Sequence, residues 1–423
     1  MEDTIFALSS GAPPAAIGVI RISGPKAGDA LAALAGDLPP ARSPRVRTLR
    51  DCAGEPLDVA LVLWFPGPAT ATGEDLAEIH CHGGRAVVAA IAAALGRMEG
   101  LREAEPGEFT RRAFSNGRID LAEAEGLADL LAAETDLQLK GALLSAGGAL
   151  SRQIESWREQ ILGLAASVEA VIDFADEEDV AGLPASFEGE IGDLAVEMRR
   201  IAGQPAAERL RDGIRVVLAG PPNAGKSSLF NALLADEAAI VTAEAGTTRD
   251  VLERPIAIGG VPFVLVDTAG MREEGAGMIE EIGIARARRA VGEGQIVLWL
   301  GEPGQAPAGS IQINSKSDLE SCPGAEGLKV SAVTGAGIGE LLDLLVALGK
   351  EALPPVDQVG FNRRQKQWAL AAAEHLEAVE VAGDLLVAAE NLRSARRALD
   401  RLVGRDSTEE MLDALFGRFC IGK

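Results

Sequence analysis

The sequence predicts a multidomain chain: an α+β N-terminal domain, an all-α helical domain, and a Ras-like α/β domain with a phosphate-binding P-loop, inserted into the helical one. Three observations predict this. Residues 1–117 alternate strand-like apolar runs with Gly- and Pro-rich turns, residues 118–206 and 351–423 carry apolar residues at helical spacing, and between them an apolar run ends in G-x-x-x-x-G-K-S. A chain of 423 residues has room for several such cores.

In the first segment, residues 17–22, 57–64 and 76–80 read as strands and residues 86–95 as a helix, punctuated by Ser23-Gly24-Pro25 and Phe65-Pro66-Gly67-Pro68. His80 and His82 share a strand face beside Cys81, but only one further histidine, His375, exists, which disfavours zinc. His82-Gly83-Gly84 reads instead as a turn that brings backbone close to a ligand. Residues 105–114 begin a helix with an acid near its N-terminus, which by itself reads as a capped surface helix.

From residue 121 the period changes. Leu121, Ala124, Leu127, Leu130 and Leu131, then Ile154, Trp157, Ile161, Leu164 and Val168, mark long helices with a break at Gly147-Gly148. A linker at Leu353-Pro354-Pro355 precedes a second helical stretch over 364–416. Neither stretch closes a core alone, and a domain whose termini lie close together can be inserted into another. Residues 118–206 and 351–423 therefore predict one helical domain split by residues 207–350; two independent helical units are the alternative. Arg393, Arg396, Arg397, Arg401 and Arg405 share roughly one helical face, diluted by Asp400 and Asp406, which fits a solvated face as well as an RNA patch.

The inserted segment carries the chemistry. A strand over 214–219 runs into Gly220-Pro221-Pro222-Asn223-Ala224-Gly225-Lys226-Ser227 and then a helix over 228–234. Backbone N–H groups from Asn223 to Ser228 and the helix dipole face phosphate oxygens, Lys226 reaches the β/γ-phosphates, and the Ser227 hydroxyl suits Mg²⁺. Residues Thr242, Ala243, Glu244, Ala245, Gly246, Thr247 and Thr248 follow as the switch loop, with Thr248 completing Mg²⁺ coordination. A strand over 264–266 then feeds Asp267-Thr268-Ala269-Gly270, whose acid holds the metal through water and whose glycine meets the γ-phosphate. Lys316 and Asp318 follow a third strand over 311–313; a carboxylate there accepts both guanine N1–H and N2–H, which adenine does not offer. Ser331-Ala332 fits the last guanine-contacting loop. The predicted ligand is GTP.

The formal charge of −23 argues against coating nucleic acid by bulk electrostatics, so an RNA partner would need local basic patches. Four cysteines, Cys52, Cys81, Cys322 and Cys420, form no C-x-x-C pair, and a reduced cytoplasm is expected. No apolar run is long enough to span a bilayer, no membrane partner is expected, and Met1-Glu2-Asp3 has the wrong charge for a secretory leader. The terminal Cys420-Ile421-Gly422-Lys423 is not a prenylation box.

Together these residues resemble the bacterial tRNA-modification GTPase family MnmE (also called TrmE) over essentially the whole chain. The resemblance is carried by Asp3-Thr4-Ile5, G-V-I-R-I-S-G at 18–24, His82-Gly83-Gly84, P-G-E-F-T at 106–110 with Arg112-Ala113-Phe114, D-L-A-E-A-E at 120–125, the GTPase motifs, and the terminal C-I-G-K. It implies a homodimer and a flavin-dependent partner, MnmG (GidA). Together they install an aminomethyl-type (carboxymethylaminomethyl) group on C5 of the wobble uridine of certain tRNAs. It implies that the N-terminal domain binds a tetrahydrofolate one-carbon carrier and forms the dimer. By motif, Arg21 and Glu78 would contact the folate, Arg118 stands where the family often has Lys, and Lys423 would reach the same pocket. Cys420 would lie near it, a candidate for the tRNA chemistry.

The resemblance also bears on hydrolysis. A Ras-like enzyme orients water with a Gln after D-T-A-G, and Met271 at that place cannot. The family pairs its GTPase domains across the dimer, so that K⁺ supplies charge where an arginine finger otherwise would. Asn223, Thr242, Glu244 and Thr247 would be the K⁺ ligands. Glu280 would orient the attacking water, with Glu281 as the alternative register, beside Lys226, Asp267 and Gly270 as the other catalytic groups. Two departures stand out: Ser315 occupies the place of the Asn in N-K-x-D, and only a short stretch over 301–310 links two strands where a helix is usual. They predict weakened guanine affinity or looser discrimination, with Asp318 still reading the base. A ribosome-assembly GTPase switch and a GTP-gated scaffold without one-carbon chemistry are the alternative functions.

Overall fold

The computed structural model describes residues 3–173, 182–236, 239–241, 252–267, 288–293, 295–319, 327–355, 360–380, 383–405 and 408–423. The chain forms two compact units, one of Met1–Ala128 with Asp400–Lys423, the other of Asp129–Leu399.

The first unit is built on a six-stranded sheet of β1 (Thr4–Leu8), β2 (Ile17–Ser23), β3 (Arg45–Arg50), β4 (Pro56–Phe65), β5 (Leu76–His82) and β6 (Leu101–Glu103). Its order is β3-β4-β5-β2-β1-β6, antiparallel except for the β1–β6 pair. Period-two alternation decides the faces. Ile20 and Ile22, Ala60, Val62 and Trp64, and Ala77, Ile79 and Cys81 are buried in one core with helices α1 (Ala27–Ala35) and α2 (Arg85–Gly96). Arg21, Glu78, His80 and His82 therefore fall on the other face. Gly83 makes its close approach to the chain itself: Ala15 donates to its carbonyl at 3.0 Å.

Helix α3 (Glu108–Ser115) is not the surface helix its sequence alone suggests. Glu108, Phe109 and Arg112 are all buried, and Phe109 joins Ile5, Ala7 and Ala104 in a small core on the second sheet face. The aromatic and acidic positions of α3 are drawn inward because its partners come from distant parts of the chain. Helices α4 (Leu121–Ala132) and the C-terminal Glu409–Phe416 pack through Leu121, Ala124, Leu412, Phe416 and Phe419.

The second unit starts with helical segments from either side of the α/β segment. They are α5 (Asp136–Ala146), α6 (Ala149–Asp173), α7 (Phe187–Ala202), then, beyond a strand-rich stretch, Arg363–Glu377 and Leu385–Leu402. Thr135 and Gln138 close a capping box on α5, and Gly147-Gly148 separate α5 from α6. Trp157 of α6 is fully buried, meets Phe361 edge-on at 6.3 Å, and donates to Glu197 at 3.0 Å. Arg199 of α7 pairs with Glu377. Residues before and after the α/β segment thus share one core. The arginine face is partly neutralised in place: Arg393 pairs with Glu390 and Glu169, and Arg397 with Glu390.

Between these segments, the short helix α8 (Glu208–Asp212) leads into β7 (Ile214–Ala219), α9 (Lys226–Ala235), β8 (Ala239–Val241), β9 (Leu252–Ile258), β10 (Val261–Asp267), β11 (Ile296–Trp299), β12 (Ile311–Asn314), β13 (Leu328–Lys329) and α10 (Ile338–Ala352). The seven-stranded order is β13-β12-β11-β7-β10-β9-β8, parallel from β13 to β10. Val216, Leu218, Phe263 and Leu265 on the strands pack with Leu229, Phe230 and Leu233 of α9 and Leu341 and Leu345 of α10. A parallel pair usually needs a helical crossover, yet β11 and β12 are joined only by a 3-10 turn at Pro303–Gln305. Trp299, 1% exposed, takes up that space and donates to the Glu302 carbonyl at 3.0 Å. Among the described residues, no helix is long and apolar enough to cross a membrane.

Candidate functional site: a phosphate loop tied to a base loop

β7 delivers the phosphate loop from the middle of the sheet, at the carboxyl ends of parallel strands, where open α/β sheets bind ligands. Gly220 has φ 147°, and a Cβ there would stand 3.1 Å from the Leu300 carbonyl carbon, so this turn requires glycine. Asn223 also sits at positive φ, 62°, which asparagine tolerates better than most residues. The loop then enters α9 at Lys226.

Lys226 is buried and folds back on its own loop, donating to the carbonyls of Gly220 and Pro221 at 2.9 and 2.8 Å. Burial pushes its ammonium below the usual lysine range, and the Asp267 charge opposes that shift. The Ser227 hydroxyl donates to a carboxylate oxygen of Asp267 at 2.8 Å, and Asp267 is 1% exposed at the end of β10. Two oxygen donors of this kind, one anionic, fit a hard divalent ion.

The base loop follows β12. Asp318 accepts from the Ser331 hydroxyl at 2.6 Å, and Ser331 is wholly buried, its hydroxyl also accepting from the Thr334 N–H at 3.2 Å. Ser315 donates to the Ala224 carbonyl at 2.5 Å, and Lys316 to the Asn223 carbonyl at 2.8 Å. The structure thus brings Asn223, Ala224, Gly225, Lys226, Ser227, Asp267, Ser315, Lys316, Asp318 and Ser331 into one linked set. Ser228 follows in the first turn of α9, and Ala332 follows Ser331 in its turn. The positions from Thr242 through Thr248, and Thr268, Ala269, Gly270, Met271, Glu280 and Glu281, lie outside the described residues.

A second polar cluster stands on the open face of the N-terminal sheet. Arg21 and Glu78 are directly paired across β2 and β5, and both guanidinium contacts go to one carboxylate oxygen, at 3.0 and 3.2 Å. His80, two residues along β5, contacts the other oxygen at 3.2 Å. Burial alone would raise the Glu78 carboxyl; the His80 hydrogen bond and the Arg21 charge together hold it below its ordinary value. Arg21 also lies 5.9 Å from the Phe109 ring centre. His82 pairs instead with Asp58 at 2.8 Å, and Cys81 is buried on the opposite face.

The C-terminal residues return to this unit. Ile421 forms a bridge with Pro106, Gly107 donates to the Cys420 carbonyl at 3.4 Å, and Gly422 lies against the Leu8 carbonyl. Leu8 is next to Ala7, the β1 partner of Arg21. Cys420 is exposed, and Lys423 is fixed through its N–H to the Cys420 carbonyl at 3.2 Å. Arg118 is placed by other contacts, with its stem beside Gly73, and it lines a cleft with Phe114, Asp120, Glu123 and Arg405.

Sequence reasoning missed a third cluster. Arg112, fully buried, donates to carboxylates of Asp3 at 2.8 Å, Glu74 at 3.1 Å and Glu108 at 3.0 Å, while Arg102 binds both Asp3 and Glu108. Its one local signal is the i,i+4 spacing of Glu108 and Arg112. Ser315 as a loop tie was missed too, since its partner stands 91 positions away.

Two family descriptions match the chain: "GTP-binding protein TrmE N-terminus" over residues 4–118 and "MnmE helical domain" over residues 121–420. The tRNA modification GTPase MnmE of Erythrobacter litoralis is 58% identical over 423 residues, covering 100% of both chains. That of Novosphingobium aromaticivorans is 56% identical, again covering 100% of both, and that of Zymomonas mobilis 49%, covering 99% of this chain and 100% of the other. Among solved structures, the G domain of the Thermotoga maritima FeoB iron transporter is 24% identical with a TM-score of 0.23, covering 32% of this chain and 97% of its own.

Proposed function

This chain belongs to the MnmE family of tRNA modification GTPases, and from that premise we propose a K⁺-stimulated GTP hydrolysis cycle coupled to one-carbon chemistry on the tRNA wobble uridine. The observation that carries the hydrolytic half is the Ser227–Asp267 contact beside a lysine folded into its own loop. Ser227 and Thr248 would hold Mg²⁺, with Asp267 holding it through water, and the ion would neutralise charge developing on the transferred phosphoryl group. Lys226 would leave the Gly220 and Pro221 carbonyls for phosphate oxygens, and Asp318 would read guanine. Asn223 would hold K⁺ with Thr242, Glu244 and Thr247, and Glu280 would orient water.

The folate half rests on Arg21 and Glu78. A carboxylate of lowered pKa stays ionised at neutral pH and suits the adjacent N–H donors of a pterin ring, while Arg21 suits an anionic or carbonyl group. Lys423, Arg118 and Cys420 are assigned to the same chemistry by family likeness, and the tail packing beside Leu8 supports the first and last of these. The proposal includes a homodimer formed through the N-terminal domain, a flavin-dependent MnmG partner, a cytoplasmic location, and domains at 1–117, 118–206 with 351–423, and 207–350. The packing of Trp157 on Phe361 and of Arg199 on Glu377 supports the split helical domain.

GTP turnover in KCl and in NaCl at matched ionic strength tests the cycle. Selective stimulation by K⁺ that disappears in Asn223→Ala is expected; equal slow rates in both salts would overturn it. Titration with 5-formyltetrahydrofolate tests the other half, where Glu78→Ala should lose binding while GTP turnover by the isolated protein persists.

A further inference from the structure

Ser315 replaces the amide-bearing residue expected at the head of the base loop, and its hydroxyl is directed at the phosphate loop: it donates to the Ala224 carbonyl at 2.5 Å. We propose that Ser315 is a positioning residue that sets the phosphate loop's shape and takes no part in reading the base. The inference uses the GTPase activity alone and is independent of the K⁺ and folate proposals.

A trans peptide holds its C=O and N–H on opposite sides. Fixing the Ala224 carbonyl toward Ser315 therefore turns the Gly225 N–H the other way, out of the base loop and toward the side from which a phosphate loop presents its donors. Lys316 repeats the tie one residue earlier, through the Asn223 carbonyl at 2.8 Å. Both anchors sit at φ values that side chains rarely adopt, 62° at Asn223 and 59° at Lys316, so the local conformation needs outside support. The loops lie close together, since a Cβ added to Gly225 would come within 3.4 Å of the Ser315 hydroxyl. Base reading has its own separately braced group, because Asp318 is held by the buried Ser331. A serine side chain is one bond long beyond Cβ, and its donated proton goes to Ala224.

Positioning and base contact predict different selectivity. Titration of the full-length protein with GDP, GTP, inosine triphosphate, which lacks the guanine 2-amino group, and 7-deazaguanosine triphosphate, which lacks the N7 acceptor, separates them. Ser315→Ala should weaken GDP and GTP by about tenfold and both base analogues by the same factor, leaving the ratio of GTP to either analogue unchanged. Ser315→Thr keeps the hydroxyl and should restore affinity. Wild-type affinities in Ser315→Ala, or a selective loss for GTP over either base analogue, would overturn the proposal. So would a threonine variant that folds with a wild-type thermal midpoint yet binds as weakly as alanine.

Discussion

The Ser227 hydroxyl and the Asp267 carboxylate, forty positions apart, meet at 2.8 Å where β10 ends beside the start of α9. The pair exists because β7 and β10 are adjacent parallel strands, with Leu218 in register with Asp267, so the two strand ends deliver their next residues to the same edge.

Asp267→Asn should therefore disable hydrolysis more than folding. The amide still accepts from Ser227 but brings no negative charge to a cation. Turnover should fall on the order of a hundredfold or more, and nucleotide affinity should no longer respond to Mg²⁺. Steady-state GTP turnover and GDP titration with and without chelator read both effects. Wild-type Mg²⁺ dependence in the variant would remove Asp267 from the metal site.

Arg112 predicts a stability effect. It is the buried cation facing Asp3, Glu74 and Glu108, so Arg112→Met leaves Asp3 and Glu108 to Arg102 alone and Glu74 without its cation, and should cost about 3–5 kcal/mol. Arg112→Lys should recover only part, because a single ammonium cannot span the sites a guanidinium fork reaches. Chemical denaturation followed by near-ultraviolet circular dichroism would show it. A methionine variant as stable as the parent would mean the network breaks even against an apolar core.

Glu78 predicts a pH dependence. Burial raises its carboxyl, but the His80 hydrogen bond and Arg21 win and hold it below 4.5. A depressed carboxyl stabilises the fold above its unfolded pKa, and that contribution is lost as pH falls through the folded value. At pH 7, Glu78→Gln should lower stability by about 1 kcal/mol, and the gap from wild type should close as pH drops below 4.5. Thermal midpoints of both proteins between pH 3 and 7 provide the comparison; a gap that stays constant would contradict the account.

How much of this was legible in the sequence follows from distance along the chain. The phosphate loop was fully readable because strand, glycines, lysine and serine lie within one short stretch whose spacing encodes the turn. The strand over 214–219 and the break at Gly147-Gly148 appear where the local signals put them. Arg112 was not readable, since Asp3 and Glu74 stand 109 and 38 positions away and nothing local distinguishes a buried arginine from a solvated one. Ser315 looked like a defect for the same reason. Its partner Ala224 comes close only after β12 and β7 are assembled on either side of β11. Trp299 reads as one more apolar strand residue until the missing crossover helix gives it a space to fill.

The C-terminal tail yields the last prediction. Gly422 has φ 93°, and a Cβ there would lie 2.2 Å from the Leu8 carbonyl oxygen, inside any tolerable contact. Gly422→Ala therefore faces both an unfavourable backbone conformation and a collision with β1, costs that together exceed what one bridge at Ile421 and one long hydrogen bond at Cys420 return. The tail should lift off the sheet while the unit beneath it, whose core does not include residues 420–423, stays folded. Carboxypeptidase should release Lys423 and the residues before it faster from the variant than from wild type, with an unchanged thermal midpoint and unchanged GTP turnover by the isolated protein. If the tail positions Cys420 and Lys423 for chemistry beside Arg21, tRNA modification in cells should fall with the same substitution. Unchanged digestion would show that the tail tolerates the added methyl, and that its contact with Leu8 does not hold it in place.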